Sequence, residues 1–409
     1  MNGRKAPAGQ NGAMPDVPLA TLLHDLVAID SVNPTLVPGG AGEAEIAAYL
    51  AGALRQIGLD VETPEAAPGR PNVLAVLPGR RPAEAPGLLL CGHTDTVGTS
   101  GMTIDPFEGR IDGDRVYGRG AIDMKAGVAA IVEAARAVAA GGPPDGDLVL
   151  AFVADEEDRS LGVEHLVGWL RARGAPPAAG IITEPTDLAV MHAHKGFSWG
   201  RVETVGRAAH GSDHGHGVDA IALMGRVIAR LEALDRHELP KRTHPILGRG
   251  SLHCSLIQGG VELSTYPDRC TLDVERRTLP GETPESLRRE VEGILGDLGA
   301  EPDFEATYTH VFDRLPLEVP EESPVVQALD EALGPGARHE GLSGWTDAQI
   351  LDSAGIPTVL FGPGSEPEPG GEGALNLAHA AVEYASLRST EACARVLVDA
   401  ARRFCRSHP

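Results

Sequence analysis

Residues 87–95, Gly87-Leu88-Leu89-Leu90-Cys91-Gly92-His93-Thr94-Asp95, run apolar and then stop at an imidazole and a carboxylate. A short continuous apolar run bounded by turn residues reads as a strand buried on both faces, of the kind found in the parallel sheet of an α/β domain. The same phrase recurs along the chain. Asp147 to Ala154 leads into Asp155-Glu156-Glu157, and Gly180 to Thr183 leads into Glu184. Asn72 to Leu77 adds a further strand. Between these runs, Met124 to Ala140 (MKAGVAAIVEAARAVAA) is dense in helix formers and stops at Gly141-Gly142-Pro143-Pro144. Pro18 to Ala28 and Ala41 to Ile57 also read as helices. Strands alternating with helices predict an α/β domain.

From about residue 195 the order changes to strand Gly196 to Val205, helix Val218 to Leu234, strands Ser251 to Gln258 and Arg269 to Arg276, helix Pro284 to Leu298 and strand Asp303 to Val311. This β-α-β-β-α-β sequence is the ferredoxin-like plan. The α/β pattern then resumes with a helix near Ser323 to Leu333, a strand at Pro357 to Phe361 and a helix from Leu387 to Arg403. The expected organisation is a flexible tail at 1–14, an α/β domain over 15–194 and 312–409, and an inserted α+β domain over 195–311. The Gly/Pro/Glu stretch 362–374 reads as a surface loop.

Composition narrows the function. With 35 Lys+Arg against 58 Asp+Glu the net charge is -23, which disfavours nucleic acid and anionic membranes as partners. The 5 cysteines are odd in number and lack C-x-x-C spacing, so neither a disulfide framework nor a Cys-based zinc site is expected. A reducing, cytoplasmic setting fits. The N-terminus has no apolar signal region, and no run is long enough to span a bilayer.

His93, Asp95, Glu156, Glu157 and Glu184 all follow apolar runs, and in open α/β sheets ligands bind at the carboxyl ends of the strands. Asp123 joins them, between the glycine-rich Gly118-Arg119-Gly120 and the Ala-rich helix. Singly, each has a plain structural explanation: a helix cap for Asp123, a solvated turn for Asp155 to Asp158, a strand end for Glu184. Together they point to a shared partner, because converging carboxylates repel one another unless protonated or bound to a cation. Imidazole and carboxylate donors without cysteine suit Zn²⁺ or a similar divalent ion. Two ions sharing a bridging carboxylate need a further imidazole, and His379 is the candidate. There is no H-E-x-x-H, G-x-S-x-G or P-loop motif.

These motifs resemble the dinuclear zinc amidohydrolases of the M20 peptidase family, of the acetylornithine deacetylase and succinyl-diaminopimelate desuccinylase type. The resemblance spans the chain after about residue 15 and rests on Gly92-His93-Thr94-Asp95-Thr96-Val97, Gly118 to Gly127, Asp155-Glu156-Glu157, Glu184-Pro185-Thr186, Gly206 to Ser212, and His379 with Glu383. It implies a catalytic domain with a zinc-peptidase-like sheet and a dimerising ferredoxin-like insert. It further implies two Zn²⁺, with Co²⁺ or Mn²⁺ as possible substitutes: Asp123 bridges, His93 and Glu184 bind one ion, and Glu157 and His379 bind the other. Asp95 would orient His93 and Glu156 would be the general base. His210 would reach the site of the partner subunit in a homodimer, and Arg277 would hold a substrate carboxylate. The doublet Arg276-Arg277 leaves open which arginine faces the pocket, since strand alternation admits only one. Ser264 stands where many relatives have Asn, and His214 and His216 read as a solvated loop.

The expected reaction is metal-dependent hydrolysis of the amide bond of an N-acyl amino acid. A dipeptidase or carboxypeptidase on the same scaffold is the alternative, and a non-catalytic metal-binding homologue a further one.

Overall fold

The structure, a computed structural model, describes residues 18–365 and 373–407. The tail expected at 1–14 and the centre of the 362–374 loop lie outside the described residues. Along the chain run α1 (Leu19–Ala28), α2 (Ala44–Gln56), β1 (Val61–Glu62), β2 (Val73–Leu77), β3 (Leu88–His93), α3 (Ala126–Ala140), β4 (Leu148–Val153), α4 (Leu161–Arg173) and β5 (Ala179–Ile182). There follow β6 (Val190–His194), β7 (Gly196–Val205), α5 (Ala220–Ala233), β8 (Ser251–Gly259), β9 (Arg269–Thr278), α6 (Pro284–Leu298) and β10 (Ala306–Arg314). The last are α7 (Pro324–Leu333), β11 (His339–Leu342) and α8 (Leu387–Phe404).

The fold is mixed α/β, in two compact units. The first holds the described residues up to Ala189, Pro324–Ala337 and those from Leu360 onward; the second holds Val190–Ser323 and Arg338–Val359. Within the first, the strand order is β1-β2-β4-β3-β5. β4, β3 and β5 are parallel, while at one edge β2 pairs antiparallel with β4 and β1 antiparallel with β2. Every residue of β3 and β4 is buried, which is why both read as unbroken apolar runs. Register places the chemistry. His93 pairs with Val153 and Cys91 with Ile182, so His93, the 155–157 turn and Glu184 emerge at the carboxyl ends of three adjacent strands.

α3 packs against this sheet through small residues, and a Cβ at Gly127 would sit 2.1 Å from the Thr183 carbonyl oxygen, so only glycine allows that approach. The helix starts at Ala126, two residues later than its composition suggests. Asp123 and Met124 have φ of -118° and -132°, outside the helical region, and the Met124 sulfur accepts a hydrogen bond from the His93 amide at 3.2 Å. Asp123 is therefore a loop residue ahead of the helix, not its cap.

The second unit contains an antiparallel sheet of order β8-β9-β7-β10. Val202, Met224, Val227, Leu272, Val274 and Val291 join α5 and α6 to one of its faces in a continuous apolar core. β10 begins at Ala306, later than the expected Asp303, because Asp303 has φ +59° and turns the chain. β6 and β11 form a parallel pair that the sequence pattern conceals, since β6 reads Val-Met-His-Ala-His. Both histidines are nevertheless buried: His192 Nδ1 bonds to the Val319 carbonyl at 2.8 Å and His194 Nδ1 to that of Lys195 at 3.0 Å.

Candidate metal centre

Five side chains of the first unit converge where the strands end. His93 Nε2 lies 3.2 Å from Asp123 Oδ1 and 3.9 Å from Glu184 Oε1. His379 Nε2 lies 3.3 Å from Asp123 Oδ2 and 3.4 Å from Glu157 Oε2. Asp123 thus offers one oxygen to each imidazole and divides the cluster into His93/Asp123/Glu184 and Asp123/Glu157/His379. Within each group the ligand atoms lie within 4.8 Å of one another, and among the described residues these are the groups able to hold an ion.

The electrostatics are those of a cation site. Burial opposes a charge on His93, yet its hydrogen bond to Asp123 and the nearby Glu184 and Glu156 outweigh this and hold its pKa well above the usual value. For His379, hydrogen bonds to Asp123 and then Glu157 push it up to about 10. Burial raises Glu157, and Asp123 adds to the effect. Asp123 is held well below the carboxylate range because its bonds to His379 and His93 outweigh its burial. Glu157 Oε1 is buried with no hydrogen-bond partner, a costly arrangement for an acceptor unless it ligates. The donor set is N and O only, which fits Zn²⁺ or another first-row divalent ion.

The surroundings fix these groups. His93 Nδ1 bonds to the backbone carbonyl of Asp95 at 2.9 Å, leaving Nε2 to face Asp123 and Glu184. It is the carbonyl that orients the ring; the Asp95 carboxylate lies 3.7 Å from Nδ1. That carboxylate instead accepts the backbone N–H groups of Glu156 at 3.1 Å and Glu157 at 3.2 Å, fixing the turn that carries both acids. Asn33 ties Asp95 to Asp155 with bonds of 2.8 and 3.0 Å. Asp155, at φ +68°, is held in turn by Arg70, which also pairs with the buried Glu43. Glu383, buried and raised by that burial to about 7, accepts from Arg119 at 2.5 Å and from the amides of Ile122 and Asp123 at 3.1 and 3.3 Å. The sequence reading did not find Asn33, Glu43 or Arg70.

The family model for peptidase family M20/M25/M40 matches residues 89–403. The chain belongs to this family. An acetylornithine deacetylase of Edwardsiella ictaluri is 30% identical over 395 residues, covering 94% of this chain and 97% of the relative. A tripeptidase structure from Staphylococcus aureus superposes with a TM-score of 0.74 at 21% identity, covering 94% and 97%. A Bacillus subtilis dinuclear metal-binding M20 peptidase does so at 0.70 and 16%, covering 95% and 98%. The protein is an M20 hydrolase of the amidohydrolase and metallopeptidase class, acting on amide bonds.

The remaining M20 positions read from the sequence lie in the second unit. His210 is exposed, bonds through Nδ1 to Ser212 Oγ at 2.8 Å and pairs with Thr265, while Gly211 donates to the Ser264 carbonyl at 2.7 Å. His216 bonds to Asp213 in an exposed loop. Alternation in β9 buries Arg276, which pairs with Glu282 at 2.6 Å, and puts Arg277 on the opposite face. There Arg277 donates to Glu275 at 2.6 Å and its guanidinium lies 5.4 Å from the centre of the Phe197 ring. Among the described residues no helix is long and apolar enough to cross a membrane.

Proposed function

We propose that this enzyme is a dinuclear zinc N-acyl amino acid amidohydrolase of the deacetylase or desuccinylase type. The observation that carries the reading is Asp123, one carboxylate with an oxygen facing each of two imidazoles and a further carboxylate beside each. The full-length similarity to an acetylornithine deacetylase supports the substrate class. His93, Asp123 and Glu184 would hold one ion, and Asp123, Glu157 and His379 the other. When bound, such ions supply Lewis-acid polarisation of a carbonyl and acidification of water.

The chain's own residues do the rest. Glu156 accepts a proton from the attacking water as the C–O bond forms, and delivers it to the amide nitrogen as the C–N bond breaks, so the amine leaves neutral. Asp95 keeps Glu156 and Glu157 in place through their amides. Arg277, half-buried where Arg276 is buried, is suited to pair with the substrate carboxylate. His210 of the partner subunit donates to the carbonyl oxygen as negative charge develops.

A panel of N-acetyl and N-succinyl amino acids and of dipeptides, with the zinc-loaded enzyme, tests the reading. The N-acyl amino acids are expected to give the higher kcat/KM; a clear preference for dipeptides would overturn it. Among the described residues none of the five cysteines is joined in a disulfide, which supports a reducing, cytoplasmic setting.

In this reading the 195–311 segment is the dimerisation domain of a homodimer. β8, at the edge of its sheet, is exposed along most of its length and carries Leu256 and Ile257 at 69% and 56% exposure, an edge that calls for a cover. Mixing inactive Glu156→Ala and His210→Ala chains should therefore restore part of the activity, since one site in each heterodimer has both groups intact. A fully active monomer by light scattering, or verified heterodimers without activity, would remove His210 from this role.

A further inference from the structure

The turn that presents Glu184 is joined to the segment that delivers His379. The Phe361 amide donates to the Ile182 carbonyl at 3.0 Å, the Gly362 amide to Thr186 Oγ1 at 3.0 Å, and the Leu188 amide to the Gly362 carbonyl at 3.0 Å. Asp187, at φ +49°, sits at the end of this ladder. Its Oδ1 accepts the Ser365 amide at 3.2 Å and its Oδ2 the Ala374 amide at 2.8 Å. One carboxylate thus holds the Ser365 and Ala374 amides together. Gly364 is shaped to the contact: a Cβ there would meet Asp187 Oδ1 at 2.0 Å.

From Ala374 the constraint passes on locally. Ala374 opens the short helix Ala374–Leu377, the Ala374 carbonyl accepts the Ala378 amide at 3.2 Å, and His379 follows at φ +62°. The imidazole of His379 is half exposed, with side-chain exposure of 51%, against 1% for His93. His93 is held by strand β3 and close packing. His379 instead follows the short helix Ala374–Leu377, and its position depends on how that approach is anchored.

We infer that Asp187 is a positioning residue for one half of the metal centre: it anchors the segment that carries His379, and so sets the affinity of the Asp123/Glu157/His379 group. Residues 184–187 then serve both groups, Glu184 as a ligand of one and Asp187 as the anchor of the other. The inference rests on the dinuclear reading above.

The test is calorimetric titration of metal-stripped protein with Co²⁺, followed also by cobalt absorption, with no substrate present. His379→Ala identifies the binding step that belongs to its group. Asp187→Ala should weaken that same step by about tenfold or more, the range seen when residues supporting a metal ligand are removed, and leave the other step unchanged. Asp187→Asn, which keeps one acceptor oxygen, should fall between, so that the question stands even if the alanine variant fails to fold. Gly364→Ala should act on the same step. Equal weakening of both steps, or two unchanged steps, would overturn the inference and leave the dinuclear reading in place. A wild-type chain that takes up no cobalt, or a single ion, would overturn that reading and the inference with it.

Discussion

Glu156→Gln is expected to lower kcat by about a hundredfold or more while leaving KM and metal content near wild type, because a neutral amide cannot accept the proton of the attacking water. Its neighbour should behave differently. Glu157 belongs to a three-ligand group with Asp123 and His379, whereas Glu156 belongs to neither group. Asp95 binds the backbone N–H of both residues, so neither substitution should release the turn. Glu157→Ala should therefore lose metal first and activity as a consequence, with added zinc or cobalt partly restoring turnover. Two adjacent acids can divide the work because a ligand must stay ionised whereas a base must be able to hold a proton. Steady-state kinetics with metal analysis on the same preparations decides it; metal lost from Glu156→Gln and retained in Glu157→Ala would reverse the two roles.

Legibility in the sequence followed burial. β3, β4 and β5 are buried throughout, so their side chains need not alternate and the runs stand out; the residues just past them are then the strand ends by construction. The ferredoxin-like segment was legible for the converse reason. β9 alternates buried and half-buried residues along its length, and α5 and α6 carry apolar stripes at helical spacing. β6 is hidden, since it carries two polar residues, His192 and His194, whose Nδ1 atoms pair with the backbone carbonyls of Val319 and Lys195. The start of α3 is not legible because Met124 is a good helix former locally, yet Asp123 and Met124 have non-helical backbones and the Met124 sulfur accepts the His93 amide. Asn33, Glu43 and Arg70 carry no motif. Arg70 lies 85 residues from Asp155 and 27 from Glu43, and the value of that buried triad comes from mutual charge compensation that no local pattern encodes. Asp187 is similar, reaching Ala374 across 187 residues.

Removal of metal is expected to abolish activity without unfolding the protein. A small zinc module collapses without its ion, but here the strand ends are held by groups that need none: Arg70 with Glu43 and Asp155, and Arg119 with Glu383. Prolonged chelation and dialysis should leave the far-ultraviolet circular dichroism near that of the native protein, and zinc or cobalt should return the activity. Uptake should also depend on pH with a definite sign. Asp123 and Glu157 push His379 up to about 10, so near neutrality its imidazole holds a proton that a cation must displace. Affinity should therefore rise with pH through the neutral range, by about tenfold per pH unit for each proton released, and fall as the solution is acidified. Cobalt titrations at about pH 6 and about pH 8, in buffers of different ionisation enthalpy, measure both the affinity and the protons released. Activity that survives prolonged chelation, or cobalt uptake that releases no proton at neutral pH, would remove His379 and its partners from the role of ligands.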